Sequence, residues 1–148
     1  MIIELEKKYE EDYKTLVKKL WSDIKDEELN KIIQDHYLSK EMIFLFISIK
    51  EESAVGFINT SIRNDYVEGC DSLGVGYIEG IYVCEPYRRN QIAYKLMQEA
   101  IKYFKTLGLN QIGSDTEVEN VMSQIFHKSI GFKEVSTIKH YIMNIDGE

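Results

Sequence analysis

Proline, cysteine and histidine are scarce in this chain: one, two and three in 148 residues. Cys70 and Cys84 have neither C-x-x-C spacing nor the density of a disulfide scaffold, so they read as small buried or half-buried thiols. Cys84 stands beside a basic loop, but no histidine lies close by in the sequence to activate it as a nucleophile. His36, His127 and His140 show no ligand spacing with one another or with the carboxylates, so no metal is expected. Long apolar runs are missing too. Met42 to Ile49 falls far short of the roughly 20 residues a membrane-spanning helix needs. The opening Met-Ile-Ile-Glu-Leu-Glu-Lys-Lys lacks the basic-then-apolar order of a secretory signal, and a cytoplasmic location is expected. Positive charge is in deficit, with 18 Lys and Arg against 25 Asp and Glu, a formal net charge of −7. That balance argues against nucleic acid, which rewards broad basic faces, and favours cationic small molecules.

What remains is an ordinary globular composition, 44% hydrophobic and 29% charged, in a chain long enough for one core. A single domain over 1–148 is expected. Met1 to Leu5 reads as a short edge strand. Tyr9, Tyr13, Leu16, Val17, Leu20 and Trp21 recur at helical spacing and predict a first helix. Asp26 is placed to cap a second helix through Tyr37, with Leu29, Ile32, Ile33, His36 and Tyr37 inward. Met42 to Ile49 and Ala54 to Arg63 are β-rich runs separated by Lys50-Glu51-Glu52-Ser53, a hairpin pattern. Polar Asn64 to Gly74 predicts a long loop. A strand at 76–83, a helix at 93–107 stopped by Gly108, a strand at 111–114 and a helix at 119–130 stopped by Gly131 follow. Strands at 132–138 and 139–145 close the chain. The order β-α-α-β-β-β-α-β-α-β-β is a mixed α/β arrangement around one central sheet, with a right-handed crossover after strand 76–83.

Gly76 to Phe104 is the most informative stretch. An apolar strand leads into Cys84-Glu85-Pro86-Tyr87-Arg88-Arg89-Asn90-Gln91-Ile92-Ala93, and then a helix whose Ala93, Leu96, Met97, Ala100, Ile101 and Phe104 share one face. Unpaired N–H groups, the positive helix end and two guanidiniums meet there, which makes an anion site suited to a pyrophosphate. Alternation in the strand puts Tyr77, Glu79, Ile81 and Val83 on one face and Ile78, Gly80 and Tyr82 on the other. Glu79 reads either as a carboxylate facing a cationic substrate or as a residue on a solvated edge. Gly80 beside it permits a bulge or a close backbone approach. Asp115, in Gly113-Ser114-Asp115-Thr116, ends the next strand, where ligands sit in open α/β sheets; it equally fits a turn or helix cap.

Arg88-Arg89-Asn90-Gln91-Ile92-Ala93 resembles the acyl-CoA loop of the GNAT N-acetyltransferases, Arg/Gln-x-x-Gly-x-Gly/Ala, with Gln91 at the first glycine position. Asn120-x-x-Ser123-x-x-Phe126-His127-Lys128-x-x-Gly131-Phe132 is similar to a second signature of that family, with His127 where tyrosine is common. The resemblance implies a GNAT fold, a single mixed sheet with helices on both faces and two central strands splayed around the pantetheine arm. It implies acetyl-CoA as co-substrate, its phosphates held by Arg88, Arg89, Asn90, Gln91, Ile92 and Ala93, and further contacts from Ile81, Tyr82, Val83 and Asn120. His127 either protonates the leaving thiolate, contacts the sulfur, or packs at the helix surface; Asn120 also reads as a helix cap.

Asp65-Tyr66-Val67-Glu68-Gly69-Cys70-Asp71-Ser72, Ile78-Glu79-Gly80-Ile81 and Ser114-Asp115-Thr116 resemble the aminoglycoside 6′-N-acetyltransferases among the GNAT enzymes, as does Leu20-Trp21. That likeness implies a homodimer and an antibiotic site lined by Trp21, Tyr66, Glu79 and Asp115. Ser136 falls where some members carry an acidic contact. Taken alone, Trp21 and Tyr66 read as helix core and loop anchor. The expected reaction is direct acetyl transfer in a ternary complex, with Asp115 or Glu79 accepting the amine proton. Two alternatives stay open: a GNAT acetyltransferase for a polyamine or a peptide N-terminus, and a non-catalytic acyl-CoA-binding module.

Overall fold

Five strands form one sheet in the computed structural model, which describes residues 1–38, 43–70 and 74–146. They are β1 (Ile2–Glu4), β2 (Ile43–Lys50), β3 (Ser53–Arg63), β4 (Val75–Val83) and β5 (Ile112–Ser114), neighbouring one another in chain order. Pairing is antiparallel as far as β4, and β4–β5 is parallel. The helices are α1 (Glu10–Leu20), α2 (Asp26–Leu38), α3 (Ile92–Thr106) and α4 (Val121–Ser129). The chain divides into two compact units, Met1–Asp115 and Thr116–Glu148. No helix among the described residues is long and apolar enough to cross a membrane. Met42, which opens the predicted hairpin, and residues 71–73 of the predicted loop lie outside the described residues.

The first unit is layered as α1 and α2 on one face of the sheet and α3 on the other. On the α1 face, Tyr13 packs edge-on to Phe57 and donates its hydroxyl to Asn59 Oδ1 at 2.8 Å. On the α3 face, Leu96, Met97, Ala100 and Phe104 are buried, and a Cβ added at Gly76 would lie 2.8 Å from the Phe104 ring. Glycine there lets α3 seat closely on the strand. Buried His36 ties α2 to the sheet. Its Nδ1 accepts from the Leu45 N–H at 3.2 Å, and its Nε2 donates to the Leu5 carbonyl at 3.0 Å. Asp26 is the first residue of α2 rather than its cap, and it pairs with Lys18 at 2.8 Å.

The hairpin turn is Glu51-Glu52, both at positive φ (51° and 65°), with Lys50 paired to Ser53. This is the primed two-residue geometry that matches strand twist. A second irregularity matters more. Asn59 pairs with Gly80 and Thr60 with Ile78, so Glu79 is an extra residue in β4. The bulge reverses the strand's later half relative to simple alternation. Tyr77 and Gly80 both face α1: an ideal Cβ on Gly80 would stand 2.5 Å from the Trp21 ring. Ile81 and Val83 therefore lie on the α3 face, opposite to the side that alternation from Tyr77 predicts, and Gly80 and Tyr82 lie on the α1 face.

In the second unit, Asn120 caps α4, accepting the Ser123 N–H on Oδ1 at 3.0 Å, and Gly131 ends it at φ 107°. Residues 132–145, predicted as two strands, form none. A strand requires a neighbour for its ladder, and no pairing in the described sheet includes this stretch. Val135, Ile138, Tyr141, Ile142, Met143 and Ile145 stand 60–95% exposed.

Candidate active site

Glu79 is the centre of a polar cluster on the α1 face that the bulge presents. Ser61, opposite Tyr77 in the β3–β4 register, donates its hydroxyl to Glu79 Oε2. Two residues further along β3, Arg63 reaches both carboxylate oxygens, with Nη2 2.8 Å from Oε1 and Nε 3.2 Å from Oε2. Its guanidinium carbon also lies 3.4 Å from the centre of the Tyr77 ring. Burial works against the Arg63 charge, but hydrogen bonding to Glu79 and the nearby negative charges outweigh it and hold Arg63 above its usual range. Tyr77 in turn donates its hydroxyl to Asp115 Oδ2, just past the end of β5. Burial first, then that hydrogen bond to a carboxylate, pushes the Tyr77 hydroxyl well above the ordinary tyrosine range, so it stays a donor.

Glu79 and Asp115, expected on neighbouring strands, are thus joined through Arg63 and Tyr77. They differ in availability. Both oxygens of Glu79 are engaged, whereas Asp115 is exposed and makes only the Tyr77 hydrogen bond among the described residues. Trp21, at the end of α1, covers Gly80 next to Glu79. Tyr66 is 72% exposed in the loop after β3, where its hydroxyl donates to Glu68 at 3.2 Å. Its neighbour Val67 reaches over Gly113 beside the Tyr77 ring, which brings this loop to the same corner of the sheet.

Sequence reading missed Ser61, Tyr77 and Arg63. A signal was present: Asn59, Ser61 and Arg63 are polar at alternate positions at the end of β3, which marks one face as a polar floor.

The β4–β5 ladder runs from Gly76↔Ile112 to Ile78↔Ser114 and stops where β5 ends, while β4 continues to Val83. Past Ile78, β4 has no ladder partner on that side among the described residues. The Cys84 N–H donates to the Val55 carbonyl at 2.8 Å, so strand alternation points the Tyr82 N–H toward β3 as well. The N–H groups of Ile81 and Val83 then point toward the side β5 has left. The Tyr82 side chain packs on the α1-side core.

Beyond β4, Glu85–Tyr87 makes one 3-10 turn, and the chain enters α3 through Arg89 at φ 69° and Gln91 at φ 61°. No side chain caps α3, and its first turn carries no acidic residue. Uncovered N–H groups without a competing carboxylate suit an anion. Arg88 folds back, donating Nε to the Val83 carbonyl at 2.7 Å, and so braces the loop against β4. Asn90 bonds the Tyr87 carbonyl at 3.3 Å, Ile92 is buried, and Ala93 begins the exposed helix turn's inner side. Gln91 adopts the left-handed conformation that glycine takes without strain, at a cost of about 1 kcal/mol. Gln91→Gly should therefore raise the melting temperature by about 2–4 °C. Gln91→Ala, which keeps the strain, should leave it unchanged in the same thermal scan.

Within the second unit, His127 Nδ1 lies 2.7 Å from the Ser123 carbonyl oxygen, which can only accept, so that nitrogen carries a proton. Its ring packs tilted on Phe132 at 5.2 Å. Among the described residues, no three His, Cys, Asp or Glu side chains converge to hold a metal ion.

A sequence model of the acetyltransferase (GNAT) family matches residues 2–132. A curated relative from Salmonella enteritidis, an aminoglycoside N(6′)-acetyltransferase type 1, is 33% identical over 144 residues, 95% of this chain and 96% of its own. One of the same name from Acinetobacter haemolyticus is 31% identical over 135 residues, covering 91% and 92% of the two chains. Among solved structures, AAC(6′)-Iy in complex with the bisubstrate analogue CoA-S-monomethyl-acetylneamine superposes with a TM-score of 0.91 at 30% identity, covering 97% of each chain.

Proposed function

The chain belongs to the acetyltransferase (GNAT) family, and within it we propose that it is an acetyl-CoA-dependent aminoglycoside 6′-N-acetyltransferase that confers antibiotic resistance. One observation carries the reading: two carboxylates, Glu79 and Asp115, joined by Arg63 and Tyr77 at the end of the β4–β5 ladder. An aminoglycoside is a sugar scaffold bearing several ammonium groups, and an anionic corner beside an indole face suits it.

The loop 88–93 and the start of α3 hold the coenzyme phosphates, and the N–H groups of Ile81 and Val83 face its pantetheine. Tyr82 fixes that strand from the opposite side. Bound there, acetyl-CoA supplies the activated acetyl group. Trp21 and Tyr66 position the sugar, Glu79 attracts its ammonium groups, and Asp115 takes the proton from the reacting one. The uncommitted Asp115 oxygen favours it over Glu79 as base. By resemblance to the family, Asn120 and His127 serve the pantetheine amide and the departing sulfur.

The family match over 2–132 runs through the first compact unit and into the second, which supports a single functional domain. The exposed apolar side chains between Val135 and Ile145 support a homodimer. Dependence on acetyl-CoA supports a cytoplasmic location. The test is thiol release from acetyl-CoA with an aminoglycoside panel, spermidine and a peptide N-terminus side by side. Turnover confined to aminoglycosides with a 6′-amine is expected; turnover of spermidine or peptide alone, or coenzyme binding with no turnover, overturns the proposal.

A further inference from the structure

We propose that Arg63 is a specificity-determining residue of this site, a built-in cation that neutralises Glu79 and so sets how much positive charge an acceptor must bring. The inference rests on the acceptor-site reading above and concerns how that site selects. Two negative charges and one positive meet here: Glu79 and Asp115 against Arg63. The positive charge is not shared evenly. Arg63 forks onto both oxygens of Glu79, a geometry that a guanidinium holds better than any ammonium. Contact with the Tyr77 ring, whose centre lies 3.4 Å from the guanidinium carbon, holds the fork in place beside Glu79. Asp115 is hydrogen-bonded to a neutral hydroxyl and has no ion pair among the described residues, so it feels Arg63 only at longer range.

An arriving ammonium thus meets one uncompensated carboxylate, Asp115, and one that it shares with Arg63. The arrangement directs the reacting amine to the base. Without Arg63, the corner would hold two uncompensated charges. Polycations would bind more tightly, but the ammonium would be divided between Glu79 and Asp115, and turnover would suffer. Arg63 and Glu79 are partly exposed, with side chains 41% and 34% accessible, so the charge effect is modest and salt-sensitive.

A charge cycle tests this. Arg63→Met should lower KM for kanamycin by about threefold to tenfold and also lower kcat. The dependence of kcat/KM on ionic strength should steepen, more so for acceptors with more ammonium groups. Glu79→Gln should flatten that dependence. The double variant Arg63→Met/Glu79→Gln, with the wild-type net charge, should restore the wild-type slope without restoring kcat. Arg63→Lys, which keeps charge but not the fork, should hold KM near wild type while kcat falls. Calorimetric binding of kanamycin gives the same cycle without turnover, and circular dichroism confirms folding. Should Arg63→Met prove unfolded, the lysine variant and Glu79→Gln still decide the point. A raised KM in Arg63→Met, or a double variant whose slope equals that of Arg63→Met, overturns the role of Arg63 alone. Wild-type binding without turnover overturns the functional reading and leaves the charge cycle readable; absence of binding overturns both.

Discussion

Asp115→Asn is expected to lower kcat for aminoglycoside acetylation by about 10²–10⁴-fold, the usual contribution of a positioned general base. The substitution keeps the Tyr77 hydroxyl satisfied by an amide oxygen, so the polar cluster and the fold are retained while the basic oxygen is removed. Its cost should depend on pH in a defined direction. The base does most while the acceptor amine arrives as an ammonium ion, which must lose one proton before attack and another after it, so raising the pH toward the amine's own pKa should narrow the gap between variant and wild type. Tyr77 does not blur that comparison, because burial, the largest cause of its raised pKa, remains when Asp115 is replaced. Glu79→Gln should act differently, with a smaller fall in kcat and a raised acceptor KM, because both Glu79 oxygens are already committed to Arg63 and Ser61. Steady-state kinetics from pH 6 to 9 would measure both. A wild-type kcat in Asp115→Asn would falsify its role as base.

The parts of this account that sequence revealed are those governed by short-range periodicity. The α3 stripe was readable because i, i+3, i+4 spacing is a property of neighbouring residues, and Leu96, Met97, Ala100 and Phe104 are indeed buried. The hairpin, Gly108 and the Asn120 cap were legible for the same reason. The faces of β4 after Glu79 were not. Alternation assumes an unbroken ladder, and the bulge that inverts Ile81 and Val83 belongs to the pairing of two strands, not to either one alone. The Arg63–Glu79 and Tyr77–Asp115 contacts join residues 16 and 38 apart in the chain, beyond any local pattern. Residues 132–145 fail in the opposite way. Their composition is that of strands, but a strand is a relation between segments, and this stretch has no ladder in the described sheet.

Deleting residues 133–148 should convert a homodimer into a monomer, seen by light scattering as a halving of the particle mass. Val135, Ile138, Tyr141, Ile142, Met143 and Ile145 expose 60–95% of their surface, a concentration of apolar side chains that an isolated chain does not shelter. Each gains about 1.5–3 kcal/mol on full burial, so six together can offset the entropy of association, which a single exposed residue cannot. Tyr141, Met143 and Ile145 alternate as one face of a strand does. Apolar residues recur through a stretch with no helical turns and no proline, and no ladder among the described residues includes it. A second copy is the occupant available to every molecule in a pure sample, and a two-fold arrangement lets each tail find the same surface on its partner. Ile142→Asp/Ile145→Asp, which keeps the chain length but charges the tail, should dissociate the dimer as the deletion does. A deletion variant that remains dimeric places the interface elsewhere, and a wild-type chain that is monomeric at micromolar concentration removes the dimer altogether.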